Sequence, residues 1–544
     1  MFNLLSGATG LTASYITLAV YLAAMATIAI IFRRKSASVS DFLLANRGVG
    51  GWLTAFAYGA TYFSAVVFIG YAGKFGSSWG LAAIWIGIGN AVFGTFVAWK
   101  VLARRTRAMS QNLDAKTMAD FFAKRYGSPK LKLLVSIVIF VFLVPYSSSV
   151  YQGLAHIFNL VFGLDFIWAI VILAVISALY LFFGGYFASS ISDLFQGIIM
   201  LVGVAVMIFT LLGNSNVNWE SGLAALNSDP KFALIPAAGT DLISSPLFNV
   251  IIMVLLTSFG IWALPQSIHK FYAIKNTSAI KQGTVISTVF SLIVGGGAYF
   301  TGSLISRFTF EGNLASDQLI PAMLKQALPA ALLGLIVILL LSASISTLSA
   351  LSLTSASTVS VDFVKGFVKK DANEKHVSVL MRVLCIVFVL ISAVLAYLQI
   401  DAIVTMMSLS WGVLAGCFIG PYVLGLYSKK ITKAAVWTSI VASLVITLTL
   451  VIVFGIKYPA SGLSGIGAVL KGGIGKSPLI GVISMAFSMI ITPTVSFFTK
   501  EPNGNTVALA FKGIKSRGAV VGGGSGTLPV EIPCVSDLPP EAVC

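Results

Sequence analysis

The sequence predicts an all-α polytopic membrane protein, on three observations. Its 544 residues are 57% hydrophobic and only 10% charged, with a mean hydropathy of +0.96, which no water-soluble globule approaches. Apolar runs of about 20 residues, long enough to cross a bilayer as helices, recur along most of the chain. The basic residues gather in alternate connecting stretches, as membrane orientation requires, so the net charge of +17 does not point to nucleic acid.

The runs give about thirteen transmembrane helices, near 13–32, 51–73, 79–103, 131–162, 165–184, 188–213, 246–272, 281–305, 328–360, 377–399, 402–427, 433–456 and 477–499. With those spans, 28 of the 35 Lys and Arg residues fall on one side, which predicts the N-terminus outside and the C-terminus inside. The first run has no basic stretch before it and no small-residue cleavage site after it, so it reads as a retained helix. Residues 1–50 form an extra helix and a cytoplasmic loop. Residues 51–427 form a core of two halves, 51–213 and 246–427, followed by two accessory helices over 428–500. Residues 501–544 read as a disordered tail, marked by Gly522-Gly523-Gly524-Ser525-Gly526 and by Pro529, Pro533, Pro539 and Pro540. The stretch 213–242 reads as an ordinary outer loop, and Met118 to Tyr126 as an amphipathic helix on the membrane surface.

Two spans carry signs of interruption. The second contains Ala57-Tyr58-Gly59-Ala60-Thr61-Tyr62-Phe63-Ser64-Ala65, small, β-branched and aromatic residues that make a poor continuous helix. The seventh contains Gly260 and Pro265, and a proline inside a helix removes a backbone hydrogen bond and clashes with the preceding turn. Counted from the second span, these are the first and sixth helices of two five-helix halves. Paired interruptions of this kind mark the mid-membrane site of a transporter, where unwound carbonyls hold an ion.

A polar stretch inside the ninth span complements them. Hydroxyls recur at Ser342, Ser344, Ser346, Thr347 and Ser349, and Ala343, Ser346, Thr347 and Ala350 share one helical face. Two hydroxyls among small residues either allow close helix packing or supply neutral oxygen ligands to a monovalent cation. Asp193, in Ser192-Asp193-Leu194, is a rare intramembrane carboxylate with no basic neighbour in sequence. It is either a helix cap or part of an ion path.

Other chemistries are disfavoured. Gly475-Lys476-Ser477 lacks the earlier glycine of a phosphate loop, Leu470 standing there, so no ATP use is expected. Cys385, Cys417, Cys534 and Cys544 give no disulfide or zinc framework, and His156, His269 and His376 are scattered. The apolar spans hold no constellation of catalytic residues, so the chain is not expected to be an enzyme.

Over residues 40–500 the chain resembles the sodium/solute symporter family, nearest its bacterial sodium/pantothenate and sodium/proline members. The resemblance rests on Asp41-Phe42-Leu43-Leu44-Ala45-Asn46-Arg47, Ala60-Thr61-Tyr62-Phe63-Ser64-Ala65 with Phe68-Ile69-Gly70, Gly184-Gly185 with Asp193 and Gln196, Leu264-Pro265, Ser346-Thr347-Leu348-Ser349, and Tyr422-Val423-Leu424-Gly425-Leu426-Tyr427. It implies a five-plus-five inverted-repeat, LeuT-like core working by alternating access in a bacterial-type cytoplasmic membrane. It implies a Na+ site made by the carbonyls of Ala60, Phe63 and Ala343 with the hydroxyls of Ser346 and Thr347. Members using a second Na+ place Asp193, Ser346 and Ser349 around it. Ala350 stands where a further hydroxyl is expected, which favours one ion.

The resemblance further implies a solute cavity lined by Tyr62, Ser64, Asn90, Trp262, Gln266 and Trp411. Proline members carry Asp at the place of Tyr62, pantothenate members carry Tyr, and sugar members carry Glu at the place of Gly87. The expected activity is Na+-coupled import of a small carboxylate or zwitterion, such as proline, pantothenate or a monocarboxylate. The alternatives are a solute sensor without net transport, and a proton-coupled carrier in which Asp193 titrates.

Overall fold

The computed structural model describes residues 8–32, 39–183, 185–236, 245–368 and 373–514. Secondary structure among them is helical apart from one parallel bridge between Val49 and Ile274. Among the described residues, eleven helical segments are long and apolar enough to cross a membrane. Two expected spans are not in that number. One is the Phe166–Phe183 helix, which is apolar almost throughout but, at 18 residues, at the short end of what crosses a bilayer. The other is the second, which is broken and whose far half runs on toward the third through a turn at Gly80. Gly80 has φ +53°, where glycine is favoured, and a Cβ there would lie 2.5 Å from the Phe232 carbonyl.

Both anticipated interruptions are present. The Gly51–Tyr62 helix stops at Phe63, which is extended at φ −106° and ψ 103°, and helical structure resumes at Ala65. The Pro246–Gly260 helix tightens over Ile261–Ala263, Leu264 is extended, and Pro265 opens the Pro265–Tyr272 half-helix. Proline is suited to that first position, because its missing N–H has no intrahelical partner there and its φ is already helical.

The Ala330–Ser357 helix lies at the centre, with every residue from Ile336 to Ser357 buried. A helix so rich in hydroxyls is stable in a bilayer only when protein surrounds it. Glycines allow the closest approaches: a Cβ on Gly302 would lie 2.2 Å from the Ala72 carbonyl oxygen, and one on Gly76 would lie 2.1 Å from the Gly302 carbonyl carbon.

Three peripheral expectations need correction. The apolar face of the Met118–Tyr126 helix packs on protein rather than being left for lipid. Phe121 and Phe122 are fully buried, 5.2 Å from the Tyr422 ring and 5.7 Å from the Phe418 ring. Its apolar face was legible, but what covers it is protein. The stretch from 213 is more than a loop. It carries the Trp219–Ser228 helix, and its Phe232 and Leu234 carbonyls accept from the Leu81 amide at 2.9 Å and the Trp85 indole at 3.0 Å. Finally, the tail begins with a helix, Gly504–Ala510, capped by Asn503. The Asn112 amide donates to the Ala510 and Lys512 carbonyls at 3.1 and 2.8 Å. The low-complexity part of the tail, with Cys534 and Cys544, lies outside the described residues.

Candidate functional site

The break in the second helix frees backbone oxygens. The Ala65 amide, which a continuous helix would direct to the Thr61 carbonyl, donates instead to Ser344 Oγ at 3.1 Å. The same turn of the central helix takes up the released carbonyls. Ser346 Oγ lies 2.8 Å from the Ala60 oxygen and 3.1 Å from the Ala343 oxygen. Thr347 Oγ1 lies 3.1 Å from the Thr61 oxygen, 3.0 Å from the Ala343 oxygen and 3.5 Å from the Ala60 oxygen.

Five oxygens thus converge, and the two hydroxyls among them have one proton each to share. More lone pairs meet there than protons, which is the electrostatic signature of a place that favours a cation. Of the predicted ligands, Ala60, Ala343, Ser346 and Thr347 come together. Phe63 stands at the break beside them, and the Thr61 carbonyl joins unannounced.

The predicted solute residues divide. Tyr62 is buried, donates to the Thr257 carbonyl at 2.7 Å, and stacks 6.1 Å from the Trp411 ring. Asn90 is held to the same place, its Oδ1 accepting from the Thr257 hydroxyl at 2.7 Å and the Ser258 hydroxyl at 3.3 Å. Tyr146 packs edge-on against Trp411 at 5.8 Å. Among the described residues, Trp411 Nε1, the Tyr146 hydroxyl and Gln266 Oε1 are all buried without a hydrogen-bond partner. Unspent donors and an unspent acceptor among aromatic rings suit a small polar ligand.

Trp262 is placed differently from the others. Its indole N–H is spent on the Phe93 carbonyl at 3.0 Å, and its ring lines an apolar cavity of about 290 Å³ with Leu255, Phe259, Ile419, Val423 and Met485. It sits on the turn that breaks the helix, where the helical face cannot be extrapolated from spacing. Gly87 packs tightly too: a Cβ there would lie 2.8 Å from Gly296 Cα and 2.9 Å from the Gly295 oxygen.

Gly94 backs the Tyr62 hydroxyl so closely that a Cβ would lie 2.2 Å from it. Gly94→Val is therefore expected to drive Tyr62 off the Thr257 carbonyl and to raise the solute KM roughly tenfold. That is the effect of about 1.4 kcal/mol lost from one buried hydrogen bond, and radiotracer uptake kinetics would measure it. An unchanged KM would separate Tyr62 from solute binding.

Asp193 is not isolated. Its Oδ2 lies 3.3 Å from Lys270 Nζ, and both side chains are buried. Ser349 donates one turn back to the Ile345 carbonyl at 2.6 Å.

The family model described as "Sodium:solute symporter family" matches residues 42–442. The chain belongs to that family. It is a Na+-coupled solute symporter of the cytoplasmic membrane and not an enzyme. Among curated proteins it is 25% identical over 498 residues to a sodium/proline symporter of Staphylococcus aureus, covering 90% of this chain and 93% of the relative. It is 27% identical over 501 residues to the osmoregulated proline transporter OpuE of Bacillus subtilis, covering 90% and 95%. Its fold is similar to that of a Na+-coupled sialic acid symporter, with a TM-score of 0.70 at 16% identity over 90% of this chain and 98% of the other. It is also similar to Mhp1, a nucleobase-cation-symport-1 family transporter, with a TM-score of 0.51 at 14% identity over 87% and 98%.

Three residues of the symporter escaped the sequence reading. Tyr146 had a signal, since Pro145-Tyr146-Ser147-Ser148-Ser149 interrupts an apolar run with a proline and three hydroxyls. Thr61 looked like one more β-branched residue in a poor helix. Lys270 had no signal at all, because its partner lies 77 positions away.

Proposed function

We propose that this symporter imports a small zwitterion or carboxylate with Na+ by alternating access, with proline as the first candidate. The observation that carries the reading is the convergence of the Ser346 and Thr347 hydroxyls on carbonyls released by the break at Phe63. In this reading Na+ is held by the Ala60, Thr61, Phe63 and Ala343 carbonyls with the two hydroxyls. The solute lies against Tyr62, Trp411 and Tyr146, meets the unpartnered Oε1 of Gln266, and has Ser64 and Asn90 at its side. A cation at the break fixes the second helix and presents Tyr62 to the solute. Ion and solute therefore raise each other's affinity by the same factor. The relatives named for proline support the solute class, the two interruptions support an inverted-repeat core, and the segregation of Lys and Arg supports the N-terminus outside.

A thermal-shift screen of the purified protein tests this, with L-proline, pantothenate and lactate, each with Na+ or with choline in its place. Stabilisation by L-proline that requires Na+ is the expected result. Stabilisation by pantothenate or lactate alone would move the solute assignment. Stabilisation by any of them without Na+ would count against coupling at this site. Counterflow in proteoliposomes then separates transport from sensing.

A further inference from the structure

A charged pair elsewhere in the chain uses none of the oxygens gathered at the break. Asp193, in the Tyr186–Leu212 helix, and Lys270, in the half-helix that begins at Pro265, form an ion pair at 3.3 Å with side chains only 1% and 2% exposed. The Lys270 ammonium also sits 5.3 Å from the Tyr186 ring, and His269 packs edge-on against the same ring at 5.4 Å. Among the described residues, the other carboxylate oxygen, Asp193 Oδ1, has no hydrogen-bond partner, and neither have Ser192 Oγ, Gln196 Oε1 or His269 Nε2. Gln196 Nε2 donates to the Tyr21 hydroxyl at 3.1 Å, so the first helix closes one side of the cluster.

A carboxylate this deep in a membrane protein needs a positive charge beside it. With neutral oxygens from Ser192 and Gln196 close along its own helix, it is the kind of group a Na+ from solution would seek. This chain supplies the charge from within. With Lys270 in place the pair is neutral, and adding Na+ would leave the buried cluster with a net positive charge in a low-dielectric setting. We infer that Lys270 is a tethered counter-ion that keeps Na+ off Asp193, so that the protein binds a single Na+, the one at the break. Lys270 is thus a positioning and stoichiometry-setting residue, and it holds the half-helix after the second interruption to the Tyr186–Leu212 helix. The inference rests on the Na+ reading proposed above.

Binding of radiolabelled Na+ to the purified full-length protein tests it without any solute. One Na+ per chain is expected for the wild type. Lys270→Met keeps the bulk of the side chain and removes the charge, and it is expected to bind two. The double variant Asp193→Asn/Lys270→Met is expected to return to one. Two Na+ on the wild type, or one on a folded Lys270→Met, would overturn the inference. If Lys270→Met does not fold, the comparison of wild type with the double variant decides. Equal binding of one supports the tether, and a loss of one Na+ in the double variant overturns it. A wild type that binds no Na+ would sink the Na+ reading itself, and this inference with it, whereas two would sink only the inference.

Discussion

Ser346→Ala/Thr347→Ala is expected to abolish Na+-stimulated uptake. Each hydroxyl lies within 3.1 Å of a carbonyl oxygen on the broken helix, Ser346 of Ala60 and Thr347 of Thr61. A polar contact to a charged group contributes about 1.5–3 kcal/mol. Losing two therefore weakens Na+ binding roughly 100-fold or more. Without Na+ the variant should still fold but melt lower than the wild type, because the Ala60 and Thr61 carbonyls are left buried without their donors, at about 1–3 kcal/mol each. Uptake kinetics across a Na+ series, with melting curves as the folding control, would check this. Undiminished stimulation in a folded variant would remove the site from the ion's path.

Gly302→Val has the other large expected effect, and it is on folding. A Cβ there would lie 2.2 Å from the Ala72 carbonyl oxygen and 2.7 Å from its carbon, so it meets backbone that no rotamer change can move. Forcing the two helices apart costs on the order of 1–3 kcal/mol or more, which is enough to reduce folded protein in the membrane several-fold. Gly296→Ala is the matched control, since nothing lies within 4 Å of its Cβ position. Monodisperse yield after detergent extraction would register the contrast, and equal yields would mean that the Ala72–Gly302 crossing has slack.

Much of this was readable because the bilayer leaves few alternatives. Apolar runs must be helices, and a proline such as Pro265 must interrupt or start one. The hydroxyl face of the central helix was readable for the same reason: Ser346 and Thr347 in mid-membrane require partners. What could not be read was the identity of those partners across the fold. Trp262 sits on a turn, where periodicity loses its phase. Phe121 and Phe122 announced an apolar face but not whether lipid or protein would cover it. The Asp193–Lys270 pair joins two helices that only tertiary packing brings side by side.

The Ala65 amide bonded to Ser344 has a mechanical consequence. The chain on the near side of the break is tied through Ala60 and Thr61 to Ser346 and Thr347, and the chain on the far side through Ala65 to Ser344. Both stubs are thus pinned to one turn of one neighbour. In the proposed transport cycle that turn would be the hinge pin, about which the stubs could change angle while keeping their distance from it. An arriving ion would replace the fastenings on the near side only, so the joint is loaded from one arm while the other stays pinned.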